Sequence, residues 1–338
     1  MPIPELHGRQ VLVTGAAGFI GSHLVDSLLE NGARIRALDN FSNGRRENLA
    51  HCMDRIEFIE GDVRDLQTCV RACRDVSFLF HESALGSVPR SMADPATTFA
   101  VNVSGSANVF AAAKDAGVRR VIYASSSSVY GDSRTLPKRE GEEGRPLSPY
   151  ALSKRMNEEL ADVFSRCFGM ELIGLRYFNV YGPRQDPDGP YAAVLPRFFK
   201  SSLAGEAPVI HGDGEQSRDF TFVLDAVRSN LLAAGAPAAA CGRAYNVAGG
   251  RRTTVNDLAE AVRRVVGGGP APVHQADRPG DVKHSLADVS LARDALGFSA
   301  EVDLEGGIAK TAPYYLSAKL WAQSGAAASN SDDVGGGA

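Results

Sequence analysis

Residues 10–21 read QVLVTGAAGFIG, and this stretch decides the fold. The mostly apolar, partly β-branched run at 10–14 predicts a buried strand, and the pattern over 19–30 predicts a helix. The turn between them has the spacing G-x-x-G-x-x-G, formed by Gly15, Gly18 and Gly21. A glycine-rich turn that joins a strand to a helix is typical of the first unit of a doubly wound sheet.

The turn also predicts a dinucleotide site. Gly15 allows the tight turn, Gly18 lets the backbone approach a pyrophosphate, and Gly21 lets the helix pack closely on the strand. Phe19 and Ile20 open the helix, whose N-terminal N–H groups favour an anion. A loop whose glycines bind no ligand remains the alternative, because glycine is common in loops.

An acid at the end of the second strand identifies the form of the dinucleotide. Asp39 follows the apolar run 35–38, at about the 20-residue distance expected after the glycine turn. Its carboxylate can accept hydrogen bonds from both ribose hydroxyls and would repel a 2′-phosphate, which favours NAD over NADP. Asn40 beside it, and Asp62 with Val63 after the third strand, are predicted to line the same site. Ordinary turn chemistry is the alternative for these acids.

The first half of the chain alternates strands and helices. Further strands are predicted at 35–38, 56–59, 78–80, 121–124 and 172–175, and helices at 66–73, 95–116 and 149–168. This alternation predicts an α/β fold with a doubly wound, Rossmann-like parallel sheet. Residues 1–178 form the predicted NAD-binding domain, to which the second half also contributes strands. Residues 179–321 form mainly a smaller mixed α/β substrate-binding lobe, and the Gly/Ala/Ser-rich residues 322–338 are predicted to be disordered.

Net charge, apolar runs and cysteine spacing limit what the protein is expected to bind and where it is expected to reside. The 338 residues carry a net charge of -4, so no nucleic-acid partner is expected. No apolar run reaches the roughly 20 residues that span a bilayer, and the N-terminus lacks the pattern of a signal peptide. The five cysteines show no C-x-x-C spacing. We therefore expect reduced thiols, no metal site, no membrane association and a cytoplasmic protein.

A Tyr-x-x-x-Lys pair carries the predicted chemistry. Ser148 is a natural N-cap and Pro149 a natural first helical residue, so Tyr150 and Lys154 lie one turn apart on one helix face. A phenol has an ordinary pKa near 10, and a nearby ammonium together with a positive nicotinamide ring is expected to lower the pKa of Tyr150. Tyr150 is then predicted to act as the general base toward a substrate hydroxyl.

A run of serines, 125–128, follows the predicted strand 121–124. Ligands of doubly wound sheets lie at the carboxyl ends of the strands, so a hydroxyl here can donate to the reacting oxygen or relay its proton. A polar turn that merely caps the strand is the alternative.

Motifs along the chain resemble those of one family. Besides the glycine turn and the Tyr150/Lys154 pair, they are Val129-Tyr-Gly131, Arg176-Tyr-Phe-Asn179, Arg218-Asp-Phe and Arg278-Pro-Gly-Asp281. Together they resemble the extended short-chain dehydrogenases/reductases of the NAD-dependent epimerase/dehydratase family, closest to UDP-glucose and UDP-N-acetylglucosamine 4-epimerases. The resemblance runs from about Arg9 to about Leu316.

The resemblance implies roles for individual residues. Ser126 would complete the catalytic set with Tyr150 and Lys154. Asn179, Arg218 and Arg278 would hold the substrate pyrophosphate, and Asp281 the nucleotide ribose. The other implied substrate-binding residues are Ser87, Gln185 and Ser285. Glucose-restricted relatives place a bulky Tyr at the position of Ser285, so a serine would leave room for a 2-acetamido group.

The resemblance also implies the reaction. Related dehydratases and decarboxylases usually carry a carboxylate at the positions of Ser127 and Ser128. The implied activity is therefore reversible C4 epimerisation of a UDP-sugar through a transient 4-keto sugar, with tightly bound NAD. A UDP-glucuronate 4-epimerase, a nucleotide-sugar dehydratase or reductase, and a non-catalytic NAD-binding regulator remain alternatives. The resemblance also implies a homodimer, formed through helices 95–116 and 149–168. Glu82 departs from the family pattern, because relatives usually carry an uncharged residue at this position.

Overall fold

A computed structural model describes residues 3–188, 192–276 and 283–329. Within these ranges the main sheet consists of seven parallel strands. They are β1 (Gln10–Thr14), β2 (Arg34–Asp39), β3 (Ile56–Glu60), β4 (Phe78–His81), β5 (Arg120–Ser126), β6 (Glu171–Tyr177) and, after four short strands of the second half, β11 (Arg243–Val247). The short strands pair in twos outside this sheet: β7 (Val180–Tyr181) with β10 (Thr221–Phe222), β8 (Val209–His211) with β13 (Val273–Gln275), and β9 (Ser217–Arg218) with β12 (Thr253–Thr254).

The helices cover both faces of the main sheet and fill the second lobe. In chain order they are α1 (Phe19–Glu30), α2 (Leu66–Cys73), α3 (Val88–Ala93), α4 (Pro95–Phe99), α5 (Gly105–Asp115), α6 (Pro149–Phe168), α7 (Val194–Ala204), α8 (Val223–Gly235), α9 (Val255–Val265), α10 (Ser290–Leu296) and α11 (Leu304–Ser329). The predicted helix 95–116 is interrupted, because a π-helical segment at Ala100–Ser104 lies between α4 and α5. In that segment Asn102 is buried and donates a hydrogen bond to Ser153 of α6.

The strand order is β11-β6-β5-β4-β1-β2-β3. The connection from β3 crosses over to β4 on the other side of β1, so the direction of winding reverses between β1 and β4. In open α/β sheets such a switch point opens a crevice at the carboxyl ends of the strands. The predicted doubly wound parallel fold is confirmed, and it places the predicted cofactor-binding and catalytic residues at this crevice.

Burial explains why the strands lack strict alternation. All four residues of β4 are buried, as are residues 120–125 of β5, because helices cover both faces. A separate apolar cluster, which includes Phe198, Phe199, Leu258 and Tyr315, joins α7, α9 and α11 in the second lobe. The boundary at residue 178 stays a prediction, since β11 and α8 from the second half pack with the main sheet.

The C-terminal end concerns the predicted disordered tail. Helix α11 is assigned as far as Ser329. The disorder predicted for residues 322–338 stays a prediction. Residues 330–338 lie outside the described residues.

Two further observations concern the predictions about the membrane and about the cysteines. None of the described helices combines the length and the apolar character needed to cross a bilayer. The five cysteines are free thiols in the structure. The cytoplasmic location stays a prediction.

Candidate active site

A cleft of about 560 Å³ opens at the switch point. The elements that line it are the glycine turn, the ends of β2, β4, β5 and β6, and the start of α6. It brings together the predicted cofactor and catalytic residues: Gly15, Gly18, Phe19, Ile20, Gly21, Asp39, Asn40, Asp62, Val63, Ser126, Tyr150 and Lys154. One predicted substrate residue, Asn179, also lines it.

The glycine turn forms a cradle that side chains would fill. Gly15 has φ +67°, and a Cβ built on it would lie 2.7 Å from the backbone nitrogen of Ser83. A Cβ on Gly21 would lie 2.1 Å from the carbonyl oxygen of Gly15. Gly18 is the N-cap of α1 and has no side chain to occupy the helix N-terminus. The cradle therefore fits the pyrophosphate of a dinucleotide, which needs close backbone approach and a helix N-terminus.

We expect Gly15→Ala to abolish the thermal stabilisation that NAD gives the wild type, because the methyl group meets the backbone of the cradle. Gly117→Ala is a matched control, since Gly117 has the same φ of +67° but nothing within 4 Å of its Cβ position. Gly117→Ala should lose about 1–2 kcal/mol for the left-handed conformation alone. Gly15→Ala should lose more stability, because its Cβ also meets the backbone of Ser83, and it alone should lose the NAD effect. Thermal unfolding with and without NAD measures both. An equal NAD shift in the two variants would contradict this account.

Asp39 is placed to bind a ribose. The side chain is buried, and its carboxylate accepts hydrogen bonds from the backbone N–H groups of Ala17 (2.9 Å) and Phe41 (2.7 Å). Burial raises the pKa of Asp39, and these hydrogen bonds oppose that effect. Each carboxylate oxygen has two lone pairs, so acceptor capacity remains for the ribose hydroxyls. This geometry supports the predicted choice of NAD.

Asp62 is more heavily engaged than the sequence suggests. Its carboxylate accepts hydrogen bonds from Arg64, at 2.7 and 3.0 Å, and from the Asn40 amide at 2.8 Å. The hydrogen bonds from Arg64 lower the pKa of Asp62 to about 2. Asp62 is therefore a fixed anion that links the ends of β2 and β3.

Tyr150 and Lys154 lie one turn apart at the start of α6, as predicted. Ser148 is the N-cap, and its hydroxyl accepts from the N–H of Ala151 at 3.1 Å. Lys154 is buried, and its ammonium donates to the carbonyl oxygen of Ala124 at 2.8 Å. The Ser126 side chain lies close enough to the Tyr150 hydroxyl to influence the pKa of that phenol. Helix α6 and the end of β5 thus hold the three groups together.

In the protein alone, burial decides the direction of the Tyr150 pKa shift. Burial raises the pKa of Tyr150, and the Ser126 hydroxyl partly opposes the rise. Burial also lowers the pKa of Lys154 to about 8. The predicted lowering of the Tyr150 pKa includes the charge of the nicotinamide ring, so it stays a prediction.

The serines at 125–128 make two kinds of contact. Ser125 donates to the Glu158 carboxylate at 2.5 Å, so it ties β5 to α6. Ser126 ends β5, and its oxygen accepts from the N–H of Ser128 at 3.2 Å. Ser127 and Ser128 begin a short 3₁₀ turn and line the cleft. Hydroxyls, rather than an acid, therefore face the cleft at these two positions.

A smaller cavity of about 150 Å³ adjoins the cleft at Asn179. Asn179 has φ +36°, and its amide donates to the backbone oxygen of Asp219 at 3.0 Å. Arg218, predicted as a phosphate ligand, lines this cavity. Polar residues that were not predicted also line it, namely Arg197, His211 and Gln216. They come from different elements and share no local motif, so nothing in the sequence singles them out.

The other predicted substrate residues either do not line these two cavities or lie outside the described residues. Ser87 is the N-cap of α3 and accepts from the N–H of Arg90 at 3.2 Å. The Gln185 amide donates to the carbonyl oxygen of Val180 at 3.1 Å. The N–H of Ser285 donates to the backbone oxygen of Ser217, next to Arg218. Arg278 and Asp281 lie outside the described residues. The roles of these residues stay predictions.

Two residues of the cleft, Glu82 and Tyr177, were not predicted as site residues. The Tyr177 hydroxyl donates to Glu82 at 2.8 Å, and Asn230 of α8 donates to the Tyr177 oxygen at 2.7 Å. The sequence gives one signal, an unusual acid directly after His81. Nothing in the sequence connects it with residues so far away along the chain.

Comparisons with known proteins agree with this geometry. The model of the NAD dependent epimerase/dehydratase family matches residues 11–248. A UDP-glucose 4-epimerase of Mycolicibacterium smegmatis is 40% identical over 90% of this chain and 98% of its own length. A solved UDP-N-acetylglucosamine 4-epimerase of Methanobrevibacter ruminantium, in complex with UDP-N-acetylmuramic acid, is 39% identical, with a TM-score of 0.88 over 92% of this chain and 99% of that chain.

A third relative is a solved UDP-glucose 4-epimerase of Thermus thermophilus in complex with NAD. It is 34% identical, with a TM-score of 0.83 over 91% of this chain and 99% of that chain. The family match covers more than half of the sequence, and these identities extend over almost all of it. The predicted family is therefore confirmed, and this chain belongs to the NAD-dependent epimerase/dehydratase family.

Proposed function

We propose that this protein is an NAD-dependent UDP-sugar 4-epimerase that interconverts UDP-GlcNAc with UDP-GalNAc, UDP-Glc with UDP-Gal, or both. One observation carries the proposal. Ser126, Tyr150 and Lys154 meet at the carboxyl edge of the sheet beside the glycine cradle, while serines occupy positions 127 and 128. The site thus has a general base for a sugar hydroxyl and no acid at the positions where relatives that eliminate or decarboxylate carry one.

Tyr150 performs the proton transfer. Its oxygen takes the proton from O4 of the sugar and later returns it, and the nearby Ser126 hydroxyl favours the phenolate. The Lys154 ammonium, held by the carbonyl oxygen of Ala124, supplies positive charge in the same cleft. When bound, NAD supplies a hydride acceptor at C4, and in its reduced form a donor to the opposite face.

The adjoining cavity would hold the nucleotide part of the substrate. Arg197 and Arg218 supply positive charge there, and forked guanidinium donors suit phosphate oxygens. Asn179 lies where the two cavities meet, so it would contact the pyrophosphate. Anchoring at the pyrophosphate would leave the 4-keto sugar free to rotate, so that the opposite face of its C4 carbon could be turned toward the reduced NAD. The roles of Arg278 and Asp281 in this subsite rest on the family resemblance.

A product assay over a panel of UDP-sugars tests the proposal. Purified protein incubated with UDP-Glc, UDP-GlcNAc or UDP-glucuronate should form the C4 epimer of at least one of the first two, without NADH accumulation. Epimerisation of UDP-glucuronate alone would support that alternative activity. A 4-keto-6-deoxy product would identify a dehydratase, and NAD binding without turnover on any sugar would favour the regulatory alternative.

We also propose a homodimer formed through α6. Large apolar side chains lie exposed along this helix and next to it, with exposed fractions of 41% for Leu152, 38% for Met156 and 63% for Met92. Leu147, just before the helix, is 56% exposed. Leu152 and Met156 are one turn apart, so they form one apolar strip. A contiguous apolar surface of this kind is typical of a protein–protein interface.

Charge introduced into this strip should give a monomer. We expect Leu152→Glu combined with Met156→Glu to halve the molar mass measured by light scattering, because two charges would be buried at the interface. Glu159→Gln, at an exposed position on the same helix, should leave the mass unchanged. A wild-type protein that is monomeric at micromolar concentration, or a double variant that stays dimeric, would contradict the dimer.

A further inference from the structure

A chain of hydrogen bonds ends at the Glu82 carboxylate, in the cleft that Lys154 also lines. Asn230 of α8 donates to the Tyr177 oxygen at 2.7 Å, and the Tyr177 hydroxyl donates to Glu82 Oε1 at 2.8 Å. Glu82 follows β4 directly, Tyr177 ends β6, and both line the cleft with Lys154. Three separate elements therefore fix the position of one carboxylate.

Lys154 needs such a carboxylate to remain charged. Only 3% of the residue is exposed, and the hydrogen bond it makes to Ala124 is to an uncharged carbonyl oxygen. Burial lowers the pKa of Lys154 to about 8, and the negative charges of Glu82 and Glu158 oppose this effect. Without this opposition, the ammonium would lose its proton at lower pH.

The two carboxylates are not equivalent. Both oxygens of Glu158 accept from the Arg176 guanidinium at 2.8 Å, and one of them also accepts from Ser125. The Glu158 charge is therefore already paired with a cation. The Glu82 carboxylate is held by the neutral phenol of Tyr177, so its charge remains available to Lys154.

Three other ionisable groups near this part of the cleft are neutral at neutral pH. His81 of β4 is hydrogen-bonded to Thr14 and Ser106, and burial lowers its pKa to about 3. The pKa values of Tyr150 and Tyr177 are raised by burial, so both phenols are protonated in the protein alone. Of the two described carboxylates that oppose the loss of the Lys154 proton, Glu82 is therefore the one that no cation pairs in the described part of the chain.

We propose that Glu82 is a positioning residue that keeps Lys154 protonated, so that the ammonium can stabilise the Tyr150 phenolate during the reaction. The inference rests on the proposed epimerase function, because it assigns a role within that active site. Burial raises the pKa of Glu82 to about 7. Its charge is therefore present mainly above neutral pH, where Lys154 begins to lose its proton.

The test is the variant Glu82→Gln, which removes the negative charge of Glu82 and keeps the shape of its side chain. In Glu82→Gln we expect the alkaline limb of the kcat–pH profile to move down by about one pH unit. Near pH 8 the protonated fraction of Lys154 should then fall from about one half to about one tenth, which lowers kcat about five-fold. Near pH 6.5 the loss should be much smaller, because Lys154 is protonated there in both proteins. Glu159→Gln, an exposed acid on α6, is the matched control and should keep the wild-type profile.

A second readout does not depend on turnover. The side-chain carbon signals of isotope-labelled lysines report the titration of Lys154, assigned with a Lys154→Met variant. The Lys154 signal should titrate at lower pH in Glu82→Gln than in the wild type. This measurement remains decisive for Glu82 even if the wild type turns over no UDP-sugar, an outcome that would defeat the proposed function alone.

Tyr177→Phe provides the same test if Glu82→Gln does not fold. Loss of the Tyr177 hydroxyl raises the Glu82 pKa, because that hydrogen bond favours the carboxylate. Glu82 then carries less negative charge at a given pH. The titration of Lys154 should therefore shift to lower pH, as in Glu82→Gln, but by a smaller amount. An unchanged Lys154 titration, or a loss of kcat that is equal at all pH values, would overturn the proposal and leave Glu82 with a structural role.

Discussion

Tyr150→Phe should lower epimerase turnover by about a thousand-fold or more while NAD still binds. A positioned general base contributes about 10²–10⁴-fold to a rate, and Phe keeps the ring while removing the oxygen that exchanges the proton. The backbone cradle and Asp39, which would hold the dinucleotide, are untouched by this change. The measurements are turnover on the preferred UDP-sugar and NAD affinity by calorimetry.

Tyr314→Phe is the control for the loss of a phenol. Tyr314 lies on α11 against Tyr315 and does not line the cleft. This variant should keep wild-type turnover. Substantial activity in Tyr150→Phe, or loss of NAD binding with loss of activity, would contradict the role assigned to the phenol.

Arg176→Leu should reduce the free energy of unfolding by about 3–5 kcal/mol, because it leaves buried carboxylates without their cation. Arg176 is buried, and it pairs with both oxygens of Glu158 and with Glu143. The same guanidinium donates to the Tyr130 hydroxyl at 3.0 Å. The network ties β6 to α6 and to the turn after β5, so its loss should also disturb the serine run. Urea unfolding measures the effect.

Two further variants test whether the Arg176 network stabilises the fold more than an exposed ion pair does. Arg155→Leu removes an exposed pair with Glu159 at 3.3 Å and should cost no more than about 0.5 kcal/mol. Adding Glu158→Gln to Arg176→Leu should recover part of the lost stability, because one unpaired charge is then removed. A cost for Arg176→Leu as small as that for Arg155→Leu would show that the buried pairs contribute little.

The fold could be predicted because its signals are local. The run at 10–14, the glycine turn and the helix at 19–30 are contiguous, so both the periodicity and the backbone requirements are visible within the first 30 residues. The convergence of Ser126 with Tyr150 and Lys154 follows from the rule that the carboxyl ends of parallel strands meet at one edge. These parts of the site needed no knowledge of long-range contacts.

The remaining features depend on contacts that have no sequence pattern. Glu82, Tyr177 and Asn230 are brought together by the strand order, not by any spacing along the chain. The direction of the Tyr150 pKa shift depends on burial, which the Tyr-x-x-x-Lys spacing does not report.

The central claim is that the hydrogen removed from C4 is the one that returns to C4. UDP-glucose or UDP-GlcNAc carrying deuterium at C4 should be converted in ordinary water to an epimer that keeps the deuterium at C4. Mass spectrometry and proton NMR of the isolated product measure this directly. A product that carries hydrogen from water at C4 would contradict the account, because the site would then work by proton exchange at carbon.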